Sequence, residues 1–257
     1  FNIIRGKDKY DSTTYEKGFY NGKEVSKTKN GKLIIGVPRK LLEMKGLDEE
    51  VLTNFNESLK RLKKIGYEIR DIELPNASYS LAVYYILMPA EVSSNLARFD
   101  GVKYGVLKEG KNLLEDYLLT RGVGFGKETR RRVILGTYVL STGYYDAYYG
   151  KAQLARDLII SDFEKVFKDV HIVLTPTTPS PAFKIGEKTN DPIAMYLADI
   201  FTVTANITGL PAISVPSGVK IVDDKKLPLG IQATAQNDRE DLLFSFGKDF
   251  ENIVKEL

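Results

Sequence analysis

Apolar and polar positions along this chain switch between two periods, and each change of period marks an element. Leu33-Ile34-Ile35-Gly36-Val37 is an almost unbroken apolar run between the turn signal Asn30-Gly31 and Pro38, the pattern of a short buried strand. The period then lengthens. Val51, Leu52, Phe55, Leu59 and Leu62 recur at three and four residues, which predicts a helix with one apolar face. Asp48 can cap its start, Lys60 to Lys64 place positive charge near its end, and Gly66 suits a left-handed stop. Tyr67 to Leu74 reads as a second strand, ended by Pro75. Strand, helix, strand is the building unit of a largely parallel sheet.

Ser80 to Phe99 is helical in pattern, with Pro89 inside it to kink the helix or to open its second half. Gly101, Gly105 and Gly110 mark one loop, and Gly122, Gly124 and Gly126 another. A long helical stretch extends from about Lys127 to Phe167, broken near Gly143 and Gly150. Val170 to Leu174 is a buried strand running into the proline-rich Thr175 to Pro181. Asp191 to Ile207 reads as one helix opened by Pro192, Ala212 to Lys220 and Leu227 to Ala235 as strands, and Asp238 to Leu257 as a final helix. The expected fold is α/β: a mixed, mostly parallel sheet flanked by helices on both faces. No repeat, low-complexity block or linker offers a boundary, so residues 1–257 are read as belonging to one domain.

Composition narrows the function classes. Hydrophobic residues make up 43% of the 257, enough for a full core, yet no run approaches the length of a bilayer span, so a soluble protein with no membrane partner is expected. There is no cysteine, which removes disulfides, thiolate metal sites and thiol nucleophiles. The 37 basic and 34 acidic residues are interspersed, too evenly for a surface that grips nucleic acid directly. The start, Phe1 to Arg5, has neither a methionine nor an apolar signal region, and the chain is expected to begin inside a longer polypeptide.

Few residues suggest chemistry. His171, the only histidine, sits at the start of an apolar strand, where a packing or edge role is expected rather than a triad or a metal site. Gly122 to Lys127 lacks the spacing of either phosphate-binding glycine motif and reads as a flexible turn before a helix. Among Arg130, Arg131 and Arg132, the apolar Val133, Leu135 and Val139 put Arg132 nearest the inner face, where its planar fork would suit a carboxylate. A solvated face remains the alternative. Asp199 lies among Leu197, Ile200 and Phe201, so it either finds a partner or sits at the surface. Tyr144, Tyr145, Tyr148 and Tyr149 form two pairs at four-residue spacing that can stack along a helix, and core packing is expected of them. No serine has the glycine-rich turn that an amide-cleaving nucleophile needs: Ser93 and Ser94 are mid-helix, and Ser214 and Ser217 flank a strand and its proline.

Five blocks in order then resemble one family: Pro89 to Gly101, GFGKETRRR (Gly124 to Arg132), LGTYVLSTGYYDAYYGKAQ (Leu135 to Gln153), LTPTTPSPAFKIGE (Leu174 to Glu187) and NITGLPAISVPSG (Asn206 to Gly218). Together they resemble the amidase-signature family, in its tRNA-dependent amidotransferase branch, and the likeness runs from about Asp8 to the C-terminus. The resemblance implies the C-terminal portion of an amidase-signature domain. In that branch the glutaminase subunit releases ammonia from glutamine, and the ammonia is used to convert Glu-tRNA(Gln) to Gln-tRNA(Gln) or the aspartyl equivalent. The B and C subunits of the amidotransferase are the implied partners, with the charged tRNA bound through the B subunit. No cofactor is implied for this chain; ATP and Mg²⁺ belong to the B subunit. The implied compartment is the cytoplasm, bacterial or organellar.

Members of the family use a serine–cis-serine–lysine triad in a glycine- and serine-rich segment that this sequence does not contain. Asp11 to Thr14 resembles the stretch just downstream of that segment, so no catalytic residue is expected here and the isolated chain is expected to be inactive. The substrate contacts carried over by the resemblance are Tyr84, Arg132 and Asp199. Arg132 would hold the α-carboxylate of glutamine, Asp199 the α-ammonium, and Tyr84 would hydrogen-bond and shape the pocket. A catalytically silent binding or scaffold protein, or an amidase for another small amide, is the alternative expectation.

Overall fold

The structure, a computed structural model, describes residues 1, 3–14, 31–188 and 192–255. Asn30, Asp191, Glu256 and Leu257, which the sequence assigns to a turn, a helix start and a helix end, lie outside the described residues. In chain order the elements are β1 (Ile34–Val37), α1 (Glu49–Lys64), β2 (Glu68–Asp71), α2 (Ser80–Asn95), α3 (Leu113–Gly124), α4 (Lys127–Val139), a π-helical turn (Tyr145–Gly150), α5 (Lys151–Val166), β3 (Ile172–Pro176), α6 (Pro192–Leu197), α7 (Val203–Thr208), β4 (Ala212–Val222), β5 (Lys225–Ala235) and α8 (Glu240–Lys255). They fall into two compact units, Phe1–Ala77 with Ile160–Leu257, and Ser78–Ile159.

The first unit is built on a five-stranded sheet in the order β2-β1-β3-β5-β4. β1 runs parallel to β2 and β3, whereas β5 runs antiparallel to β3 and β4, so the sheet is mixed as expected. Register aligns the apolar side chains into rows. Ile69, Ile35, Ile172 and Ala235 lie opposite one another across four strands, as do Leu174, Ala233 and Ile213 across three. These rows meet Phe55, Leu59 and Leu62 of α1 and Leu242, Leu243, Phe246 and Phe250 of α8 in one buried cluster. The β4–β5 hairpin closes on Asp223 and Asp224, both in the left-handed region at φ 48° and 59°, the backbone that a two-residue hairpin turn requires.

α1 forms as its pattern predicts. Asp48 accepts hydrogen bonds from the backbone N–H groups of Glu50 and Val51 at 2.9 and 3.3 Å, and Gly66 ends the run at φ 98°. The strand expected over Tyr67 to Leu74 is shorter, because only Glu68–Asp71 pairs with β1 and this is an edge strand with one bonded side. The single helix expected over Asp191 to Ile207 is two short ones. Between them the bonds of Asp199 to Tyr196 and of Ile200 to Leu197 span three residues, and a run rich in β-branched residues, Ile200 to Thr204, opposes a continuous helix.

A small polar cluster ties α8 to the segments before β1 and β2. Lys32 Nζ lies 2.6 Å from Asp249 Oδ2, and the Tyr67 hydroxyl donates to the same oxygen at 2.9 Å. Burial pushes the Asp249 carboxyl up, but these two hydrogen bonds outweigh it and hold the group below the usual aspartate range. A depressed carboxylate stabilises the fold above its unfolded value, about 4, and loses that contribution as the pH falls through the folded value. Urea titrations of the wild type and Asp249→Asn are therefore expected to differ by about 1–2 kcal/mol at pH 7 and to converge as the pH falls through the folded value. An equal gap above and below that value would remove the charge from the account.

The second unit is helical. α2 and α4 pack backbone to backbone where Gly136 of α4 meets Pro89 and Ala90 of α2: a Cβ built on Gly136 would stand 1.8 Å from the Pro89 carbonyl oxygen. Pro89 lies inside one continuous α2 rather than starting a second helix. α3 occupies a stretch where the sequence shows only glycine-marked loops, and Gly122 and Gly124 belong to its last turn. Its Leu113, Leu114, Leu118 and Val123 are exposed, so no inward apolar stripe announces it. Hydrogen bonds hold it instead. Asn112 caps its start through Glu115 N–H at 3.1 Å, and Arg121 Nη1 donates to the carbonyls of Leu96 and Phe99 at 3.1 and 3.3 Å, serving the exposed end of α2.

Candidate functional site

Arg132 stands in the second turn of α4, on a stripe with Gly136 and Val139 that faces inward, while Leu135 points to solvent. Because Gly136 lets α2 come so close, Arg132 reaches three side chains of α2. Its Nη1 lies 3.3 Å from Met88 Sδ, its guanidinium carbon is 5.9 Å from the centre of the Tyr85 ring, and the Tyr84 hydroxyl is near enough to act on its charge. Tyr84 and Tyr85 are set edge to face, with centroids 5.1 Å apart. The remaining contact is within α4: Nε donates to Glu128 Oε1 at 2.9 Å.

This is a partly buried cation on a wall of aromatic and thioether groups, with its side chain 27% accessible. Burial works against the charge, but the hydrogen bond to Glu128, with its negative charge and the nearby Tyr84, outweighs it and raises the guanidinium pKa above its usual value. The site therefore presents a fixed positive charge at every physiological pH.

Of the sequence candidates, Tyr84 and Arg132 come together in the second unit. Asp199 lies in the first unit, exposed, in the turn between α6 and α7, and its carbonyl accepts from the N–H groups of Thr202 and Val203. Tyr85, Met88, Glu128 and Gly136 are not singled out by the sequence pattern. The Glu128–Arg132 spacing of four, a helical ion-pair signal, is the one clue it holds. The tyrosine ladder stacks as its spacing predicts, with Tyr144 and Tyr148 at 6.1 Å and Tyr145 and Tyr149 at 5.0 Å. Core packing is corrected, however: Tyr145 and Tyr148 in the π-helical turn, and Tyr144 before it, are 40–46% exposed.

His171 is buried, and its Nδ1 accepts the Ile34 N–H at 3.0 Å while its own backbone N–H donates to the Ile34 carbonyl at 2.9 Å. It fastens β3 to β1. Three of the four serines singled out in the sequence are hydrogen-bonded as well: Ser93 Oγ donates to the Ala90 carbonyl at 3.0 Å, Ser214 Oγ is 2.8 Å from Thr177 Oγ1, and the buried Ser217 donates to Asn54. An open cleft of about 700 Å³ in the first unit is lined by Asp48, Phe183, Lys184, Asp223 and Leu227 among others, and by none of the three candidates. Among the described residues no group of three or more His, Asp or Glu side chains could hold a metal ion, and no helix is long and apolar enough to cross a membrane.

The sequence profile described as Amidase matches residues 1–244. The chain belongs to the amidase family. It is 50% identical over 236 residues to the A subunit of the glutamyl-tRNA(Gln) amidotransferase of Thermodesulfovibrio yellowstonii, a match covering 90% of this chain and 47% of that protein. With the same subunit from Pelagibacter ubique the identity is 51% over 232 residues, again covering 90% and 47%. The crystal structure of the glutamyl-tRNA(Gln) amidotransferase A subunit from Thermotoga maritima superimposes with a TM-score of 0.66 at 35% identity, over 95% of this chain and 47% of that one. This amidase-family chain thus spans about half the length of the curated relatives it matches, and its mixed sheet flanked by helices is the fold of the family.

Proposed function

We propose that this chain grips glutamine for the glutaminase subunit of a glutamyl-tRNA(Gln) amidotransferase and does not itself attack the amide. The observation that carries the reading is the Arg132 site: a partly buried, permanently charged fork beside the Tyr84 hydroxyl, the chemistry that binds a carboxylate. The relatives named for this activity share about half of their sequence with it over the matched region. Arg132 takes the α-carboxylate, with Tyr84 hydrogen-bonding beside it. The nucleophile, the ATP- and Mg²⁺-dependent step and the tRNA belong to other polypeptide, including the B and C partner subunits, and the setting is the cytoplasm. The hydrogen-bonded serines and His171 support the non-nucleophilic role.

Isothermal titration of the purified chain with L-glutamine is expected to show saturable binding. Arg132→Ala is expected to weaken it roughly 30- to 150-fold, since a charge-assisted contact to a carboxylate is worth about 2–3 kcal/mol. Affinity that ignores the substitution would take Arg132 out of the site. Glutaminase turnover by the purified chain would overturn the division of labour.

A further inference from the structure

Glu128 lies in the first turn of α4, where a negative charge is favoured by the helix N-terminus, and it serves two arginines at once. Its Oε1 accepts Arg132 Nε–H at 2.9 Å and its Oε2 accepts from Arg131 Nη1. A guanidinium has two edges able to bind a carboxylate with paired hydrogen bonds, one that includes Nε and one formed by the two Nη groups. Glu128 occupies the first. Among the described residues Nη1 meets a thioether sulfur, a weak acceptor, and the guanidinium lies over the face of Tyr85.

We infer that Glu128 is the positioning residue that turns Arg132 end-on and so selects an α-carboxylate over an α-carboxamide. The inference rests on the glutamine-binding reading above and adds the source of its selectivity. Glu128 touches no substrate; it acts through Arg132. Without it, the guanidinium is free to rotate about its last torsions, and a ligand must order it at a cost in affinity.

The test uses the whole chain, selectively ¹⁵N-labelled at arginine, as wild type, Glu128→Gln, Glu128→Ala and Arg132→Lys, the last to assign the Arg132 Nε–H signal. Wild type and Glu128→Gln, whose amide oxygen still accepts from Nε, are expected to show a resolved, slowly exchanging signal. Glu128→Ala is expected to move it to the position of free arginine. Titration with L-glutamine and with its α-carboxamide, L-glutamine amide, then reads the consequence. Glu128→Ala is expected to weaken glutamine about tenfold, leave the carboxamide nearly unchanged and so erase the preference, while Glu128→Gln restores most of it. A merely structural role would weaken both ligands alike. Glutamine binding with an unmoved Arg132 signal, or equal or tighter binding by Glu128→Ala, overturns this inference alone. No glutamine binding by the wild type overturns the reading of the site and this inference with it.

Discussion

Gly136→Ala is expected to destabilise the helical unit by about 3 kcal/mol and to weaken glutamine binding, although it touches no ligand. By helix propensity alone the substitution should stabilise α4 by about 1 kcal/mol. Packing decides against that gain. The new Cβ would stand 1.8 Å from the Pro89 carbonyl oxygen, 2.4 Å from its carbon and 2.9 Å from the Ala90 nitrogen, and all three are backbone atoms that no rotamer change can move. α2 and α4 must therefore separate. Arg132 lies one turn from Gly136, Tyr85 lies one turn from Pro89 and Met88 directly precedes it, so the separation opens the cluster that holds the guanidinium. Hydrogen exchange of the α2 and α4 amides, read with glutamine titration, checks this. Wild-type protection, or a net stabilisation, would show that the close approach is not what brings the two helices together.

Phe246→Ala should cost about 3–5 kcal/mol, the usual range for truncating a fully buried aromatic ring. Phe246 is inaccessible to solvent, stacks on Phe250 at 5.9 Å with their planes 12° apart, and meets the edge of Tyr67 at 6.1 Å. The loss does not stop at the cavity. Tyr67 is held on its other side by Asp249, so loosening its ring also weakens the polar cluster with Lys32. Equilibrium unfolding in urea is the measurement, with Phe246→Leu expected to retain more than half of the difference. A cost under about 1 kcal/mol would mean that α8 is not fastened to the sheet through this residue.

How far each element was legible in the sequence depends on how it is stabilised. α1, β1 and the strands of the β4–β5 hairpin are held by apolar stripes written in residue order: Phe55, Leu59 and Leu62 at helical spacing, Ile34 to Val37 as a run, and Ala212 to Lys220 and Leu227 to Ala235 as strands, whereas the Asp223-Asp224 turn emerged only in the structure. α3 was invisible because Asn112 and Arg121 hold it by hydrogen bonds while its leucines face outward. The break at Asp199 was hidden by surrounding apolar residues that fit a helix as well as a turn. At the site, Arg132 could be picked from a run of three arginines by its apolar neighbours, although Leu135 among them proves to point outward. Its surroundings could not be read, since they depend on a glycine whose function is to leave room and on a partner helix more than thirty residues away. The tyrosine ladder shows the same limit: spacing predicts which rings stack, not which side is covered.

Because Ser78–Ile159 falls between β2 and β3 in chain order, β1 is made long before β3, the strand that pairs with it on the other side from β2. Roughly 135 residues separate Val37 from Ile172, so at about 5–20 residues per second the ribosome needs on the order of 7 to 27 s to deliver β3 after β1. During that interval the nascent Ile34–Val37 has α1 and its β2 neighbour for company, but not β3. Synthesis speed across Ser78–Ile159 thus sets how long a sticky segment waits, and slow codons placed there would lengthen the wait without changing a single contact in the finished fold.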